Sequence, residues 1–233
     1  MQRISNKIVF LVLGLALFLW GCSAGSGEET AVSPANTPAP TSPATPEPDL
    51  TLLAFGDSLT EGFGVAAEES YPSQLSRKLA ADGYNIDVVN GGISGEASTA
   101  ALARVEWMLG TEPDIVIVET GANDALRGVD LDLTRENINQ IVEQFTASGA
   151  VVIVAGLQIT QNLGEPYTTD FAAIFPTVAE KHGSILIPFV LEGVATNPDL
   201  NQPDFIHPTG EGYTVMVEHI YPFVLEAIEA AGQ

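Results

Sequence analysis

Cysteine occurs once in the 233 residues, at Cys22, so no disulfide can form within the chain. Basic residues are scarce too: eight Lys and Arg stand against thirty Asp and Glu, a formal charge of -22. Such a surface repels phosphate backbones and anionic lipid head groups, which excludes nucleic acid as a partner and suits neutral or zwitterionic ligands. No apolar run reaches the roughly 18 residues that a membrane span needs; residues 8–20 are apolar but for Gly14. Clusters of Cys, His and Asp at metal-site spacing are lacking, and Gly62-Phe63-Gly64 is too short for a nucleotide-binding loop. Neither a metal nor an organic cofactor is therefore expected. Three histidines, His182, His207 and His219, limit the choice of a base that works near neutral pH.

Residues 1–21 have the layout of a secretion signal, with Arg3 and Lys7 ahead of the apolar run. The run ends in Leu19-Trp20-Gly21-Cys22, which resembles the lipobox of bacterial lipoproteins. That resemblance implies cleavage before Cys22, lipidation of its sulfur and attachment to a membrane of the cell envelope, outside the cytoplasm. Ser23, standing where Asp does not, resembles the outer-membrane sorting pattern of Gram-negative lipoproteins. Several acyl chains anchor firmly where one is marginal. The alternative is a buried thiol in an uncleaved helix. Loss of Arg3 and Lys7 on cleavage leaves a charge of about -24. Residues 22–48 are rich in Pro, Thr, Ser and Ala, cannot build a core, and read as an extended tether.

Residues 49–233 suit one domain, expected to be monomeric. Short apolar runs alternate with longer amphipathic ones. Strands are expected at residues 50–55, 86–89, 115–119, 151–155 and 184–188. Helices are expected at 71–82, 97–109, 134–148, 171–182 and 210–230, the last bent or interrupted by Pro222. The pattern is that of a three-layer α/β/α sandwich on a mainly parallel five-stranded sheet, flavodoxin-like in layout. Ligands of such sheets bind beyond the carboxyl ends of the strands.

The chemistry-bearing residues fall at those ends. Ser58, in Gly56-Asp57-Ser58-Leu59-Thr60, follows the first strand. It is either a nucleophile awaiting a base or the cap of a short helix. His207 lies in Asp204-Phe205-Ile206-His207-Pro208, where Asp204 can curl back to fix the imidazole tautomer; a surface Asp–His pair capping the last helix is the other option. Gly95, in Gly91-Gly92-Ile93-Ser94-Gly95, and Asn123, in Gly121-Ala122-Asn123-Asp124, offer an approachable backbone N–H and a side-chain amide, or simple turn chemistry. His182 reads as a helix C-terminal cap and His219 as a solvated or packed residue.

Together these blocks resemble the GDSL, or SGNH, hydrolase family, and within it the bacterial thioesterase/lysophospholipase and arylesterase group. Gly56-Asp57-Ser58-Leu59, Gly95, Gly121-Ala122-Asn123-Asp124 and Asp204 to Pro208 occur in the family's order across nearly the whole domain. Leu126-Arg127-Gly128 continues the group's pattern. The resemblance implies a catalytic triad of Ser58, His207 and Asp204. It also implies an oxyanion hole from the N–H groups of Ser58 and Gly95 with the Asn123 side chain. Ala122 stands where the family often has glycine, and its methyl is expected to narrow the pocket slightly. The implied activity is ester hydrolysis through an acyl-serine, on short to medium acyl or aryl esters, lysophospholipids or thioesters. A carbohydrate O-deacetylase and a non-catalytic envelope binding protein are the alternatives. Loops 62–70, 125–134 and 159–170 are expected to set the substrate, with Leu163 and Tyr167 either lining an acyl channel or packing their loop.

Overall fold

The computed structural model describes residues 47–159 and 164–232; residues 1–21, Cys22, most of the tether and Leu163 lie outside them. Five strands form one parallel sheet: β1 (Leu50–Gly56), β2 (Ile86–Gly92), β3 (Ile115–Glu119), β4 (Val151–Ala155) and β5 (Ile185–Ile187). Their order is β2-β1-β3-β4-β5, with β1 and β3 at the centre. The helices are α1 (Ser58–Glu61), α2 (Tyr71–Ala81), α3 (Ser98–Ala103), α4 (Val105–Leu109), α5 (Ala122–Arg127), α6 (Leu131–Ala147), α7 (Glu165–His182) and α8 (Gly210–Ala231). α2 packs on α8, while α3, α4 and α7 gather on α6. The sheet is thus flanked by helices in the three-layer arrangement the sequence pattern implies.

A central parallel strand covered on both faces has no polar side, which is why Leu52-Leu53-Ala54-Phe55 and Ile115-Val116-Ile117-Val118 are continuous apolar runs, all buried. Phe55 meets Phe145 of α6 edge-on, with ring centroids 5.1 Å apart. The Arg104 guanidinium lies 4.0 Å over the Phe55 ring. Leu75 and Leu79 of α2, and Ile138, Ile141 and Phe145 of α6, all fall on buried faces, as their spacing predicts. Each contributes about 2 kcal/mol by leaving water.

Several boundaries differ from expectation. α6 begins three residues early because Asp130 caps it, accepting from the amides of Asp132 (2.9 Å) and Leu133 (3.2 Å). α7 begins at Glu165, with Pro166 in the first turn, where a missing N–H costs nothing. The single helix expected at 97–109 is two, broken at Arg104. There the guanidinium reaches inward to Glu96 and to the Gly56 carbonyl at the end of β1. Pro222 does not interrupt α8: it sits on the exposed side, where water can satisfy the carbonyl it leaves without a donor. His182 does not cap α7; its ring bonds Asn139 Oδ1 of α6 at 2.9 Å. His219 packs, with Nε2 2.9 Å from the Phe189 carbonyl. Among the described residues no helix is long and apolar enough to cross a membrane.

Candidate active site

Parallel strands place their carboxyl ends on one edge of the sheet. β1 ends at Gly56, β2 at Gly92 and β3 at Glu119, and the residues singled out by sequence follow each of them directly. The turn after β1 is capped by Asp57, whose Oδ1 accepts from the Leu59 amide at 3.2 Å. Ser58 is therefore not the cap, and its hydroxyl is free to face outward. It meets His207, with Oγ 2.9 Å from Nε2. On the other side of the ring, Nδ1 lies 2.7 Å from Asp204 Oδ2.

The Asp204–His207 loop holds itself in shape. Asp204 Oδ1 accepts from the amides of Ile206 (3.0 Å) and His207 (3.1 Å). Closing so tight a turn puts Phe205 in the left-handed region, at φ 58°. Burial pushes the Asp204 carboxyl up, but hydrogen bonds from the His207 ring and the two amides, with the nearby His207 charge, outweigh it and hold Asp204 below the usual carboxylate range. A carboxylate on Nδ1 draws the proton there and leaves Nε2 as the acceptor toward Ser58. The Phe63 ring packs against the imidazole, centroids 4.8 Å apart. Gln202 ties the two loops together, donating to the carbonyls of Phe63 (2.7 Å) and Pro208 (2.9 Å).

Asn123 and Gly95 reach the same edge by different routes. Asn123 Nδ2 donates to Asp57 Oδ2 at 2.9 Å, which leaves its second proton unassigned. Arg127 Nη2 donates to the Gly95 carbonyl (2.7 Å) and to Asn123 Oδ1 (3.4 Å), linking the two positions. The loop bearing Gly95 is pinned by Glu61, whose carboxylate accepts from both the amide and the hydroxyl of Ser94. Among the described residues the amides of Ser58 and Gly95 donate no hydrogen bond. Asp124, the other half of the motif, is buried and structural: it accepts from the Ser98 amide (2.7 Å) and hydroxyl (2.6 Å). Ala122 packs partly buried against the core. Tyr167 also packs on the core, with its hydroxyl 3.3 Å from the Val129 carbonyl.

Sequence reasoning gave no role to Glu119, Gln202, Arg127 or Phe63. Glu119 had a visible signal, since it is the one charged residue in the apolar run Ile115-Val116-Ile117-Val118-Glu119. Gln202 and Phe63 had none, because their value lies in joining loops 139 residues apart.

The sequence of this edge matches a known pattern from end to end. The family model described as GDSL-like Lipase/Acylhydrolase family matches residues 54–215. The chain belongs to the GDSL-like lipase/acylhydrolase family. It is 35% identical over 173 residues to the esterase TesA of Pseudomonas aeruginosa, covering 74% of this chain and 86% of that one. Identity to the arylesterase of Vibrio mimicus is 36% over 170 residues, 72% of this chain and 85% of the other. The fold superposes on the psychrotrophic esterase EstA of a Pseudoalteromonas species, described as inhibited by monoethylphosphonate, with a TM-score of 0.72 at 31% identity, covering 78% of this chain and 98% of that chain. As a member of this family the chain is a serine-type carboxylic ester hydrolase with a small ester or lipid as substrate.

Proposed function

We propose that this hydrolase uses Ser58 as nucleophile, His207 as general base and Asp204 as the group that orients it, on short- to medium-chain acyl and aryl esters. The contact that carries the assignment is Ser58 Oγ to His207 Nε2 at 2.9 Å, with Asp204 on the opposite ring nitrogen. His207 Nε2 takes the hydroxyl proton as Ser58 Oγ bonds to the acyl carbon. The carbonyl oxygen becomes an oxyanion and receives the N–H groups of Ser58 and Gly95 and the free proton of Asn123 Nδ2. Collapse breaks the bond to the alcohol or thiol, which leaves with the proton from His207. Water then gives a proton to His207 as it bonds to the acyl carbon; the bond from that carbon to Ser58 Oγ breaks, Ser58 Oγ takes the proton back from His207, and the acid is released.

Exposed apolar side chains border these residues: Phe63, Ile93, Phe205 and Ile206. They favour an acyl chain, as in a lysophospholipid or a longer ester, over an acetylated glycan, and the acidic surface favours a neutral or zwitterionic head group. In this reading residues 1–21 are a lipoprotein signal, Cys22 carries the lipid, residues 22–48 form the tether and residues 49–233 the hydrolase domain.

Hydrolysis of p-nitrophenyl esters from acetyl to palmitoyl by wild type and Ser58→Ala tests the assignment. Ser58-dependent turnover that peaks at medium or longer chains supports it. Turnover confined to the acetyl ester points instead to a carbohydrate O-deacetylase. Wild-type rates in folded Ser58→Ala would remove Ser58 from the mechanism. A monoethylphosphonate reagent is expected to label wild type and to leave Ser58→Ala unlabelled.

A further inference from the structure

Two carboxyl groups lie buried beneath the Ser58 turn, and the acyl-transfer steps consume neither. Asp57 is 1% exposed and Glu119 is 0% exposed. Asp57 is well satisfied, by the Leu59 amide on Oδ1 and by the Asn123 side chain on Oδ2. Glu119 is only half satisfied. Its Oε2 accepts from the Asp57 amide at 3.3 Å and from Thr60 Oγ1 at 2.9 Å. Its Oε1 is buried and has no hydrogen-bond partner among the described residues. Glycine at position 56 leaves room for the Thr60–Glu119 contact: a Cβ there would run first into Thr60 Oγ1, and would sit 2.6 Å from the Glu119 carbonyl and 2.7 Å from Glu119 Oε2.

We propose that Glu119 is a positioning residue of the ester-hydrolysis site, a neutral carboxyl that acts through Asp57 to hold the Asn123 amide and the Ser58 turn in register. The inference rests on the roles given above to Ser58 and Asn123. An anionic Oε1, buried beside the Asp57 carboxylate with no hydrogen-bond partner among the described residues, would carry a heavy desolvation cost. Thr60 of α1, Tyr71 of α2 and Tyr213 of α8 supply neutral hydroxyls, and Tyr71 reaches Thr60 Oγ1 at 3.3 Å. Arg104, reaching the end of β1, spends its Nε and Nη2 on Glu96 and the Gly56 carbonyl, and its Nη1 makes no hydrogen bond to Glu119 among the described residues. Burial and then the Asp57 charge push Glu119 well above the usual carboxylate range. Burial raises Asp57 too, but its two N–H donors and the facing His207 charge favour its anion, so of the two carboxyls Glu119 is the one that holds the proton. One proton on Glu119 thus removes the repulsion between the two carboxyls. Anionic Asp57 can then grip one proton of Asn123 Nδ2 and leave the other aimed outward. The Asp57 N–H to Glu119 bond sets the strand-to-helix turn from which the Ser58 N–H projects.

Glu119→Gln and Glu119→Asp, measured beside Ser58→Ala in the full protein, decide the matter. Gln reproduces a neutral acid in shape and polarity, and its kcat and KM are expected within about twofold of wild type at pH 7. Asp is one methylene short and withdraws from both the Asp57 amide and Thr60. Its kcat is expected to fall about tenfold or more, with KM within about twofold, because the loss concerns groups that act in the transition state. Ionisation of Glu119, displaced above the usual carboxylate range, is expected to lower wild-type kcat, and Glu119→Gln lacks that fall. Wild-type kcat in folded Glu119→Asp overturns the proposal, as does a Gln variant impaired as badly as Asp, or a loss carried by KM. If Glu119→Asp does not fold, a pH profile of kcat in Glu119→Gln identical to that of wild type overturns it. Turnover by folded Ser58→Ala would instead defeat the nucleophile assignment, whatever Glu119 does. Inactive Ser58→Ala beside two unaffected Glu119 variants defeats only the positioning role.

Discussion

At the scale of single residues, each proposed catalytic group is held by a partner that leaves one working atom free. Asn123 has its Oδ1 near Arg127 and one Nδ2 proton on Asp57. Asn123→Ala is expected to lower kcat about 100-fold, near 3 kcal/mol in transition-state stabilisation, with little change in KM. Unchanged kcat would take Asn123 out of the oxyanion hole. Asp204 carries a pH signature. Its carboxyl titrates below the usual range in the folded protein, so its stabilising effect is complete above the ordinary aspartate value of about 3.9. That effect disappears as pH falls through the lower, folded value. Thermal melts of wild type and Asp204→Asn are therefore expected to differ at about pH 5, above both carboxyl values. The gap is expected to close as pH falls from there through the folded Asp204 value; a gap that widened below about pH 4 would reverse the sign.

At the scale of elements, the site depends on short pieces docked by buried polar contacts. α5 is six residues long and presents Asn123 from its first turn. So short a helix has no stability of its own. Asp124 secures it by accepting from the Ser98 amide and hydroxyl at the start of α3, while Asn137 of α6 also bonds the Ser98 hydroxyl at 2.9 Å. Asp124→Ala leaves the Ser98 amide buried without an acceptor and is expected to cost about 3 kcal/mol in urea denaturation, with kcat falling alongside. A cost below about 1 kcal/mol would mean that α5 is held by its apolar contacts instead.

At the scale of the whole molecule, an acidic chain carries an active-site edge bordered by apolar side chains. The anchor proposed at Cys22 would hold such a chain at a membrane without help from charge. Cys22→Ser is expected to shift the protein from the membrane fraction to the soluble fraction and to end incorporation of labelled fatty acid. Ester turnover per molecule is expected to stay unchanged, since Cys22 lies outside the residues 54–215 that match the family. Continued lipid labelling of Cys22→Ser would refute the anchor.

Strand cores and helix faces were legible in the sequence because burial on two faces demands a continuous apolar run, and burial on one demands helical spacing. Ile115–Glu119 and Val151–Ala155 fall where those patterns place them. The candidate site was legible for a related reason: parallel strands force Ser58, Gly95 and Asn123 to a common edge, and Asp204 lies three residues from His207. Breaks and caps were less legible, as at Arg104 and Pro222, since they turn on what lies across the chain. Only tertiary structure decided that Asp57 rather than Ser58 caps α1, that Gln202 binds Phe63, and that Glu119 lies under the turn against Gly56. Periodicity records which residues leave water; which buried polar group meets which is fixed only when separate strands and loops are brought together.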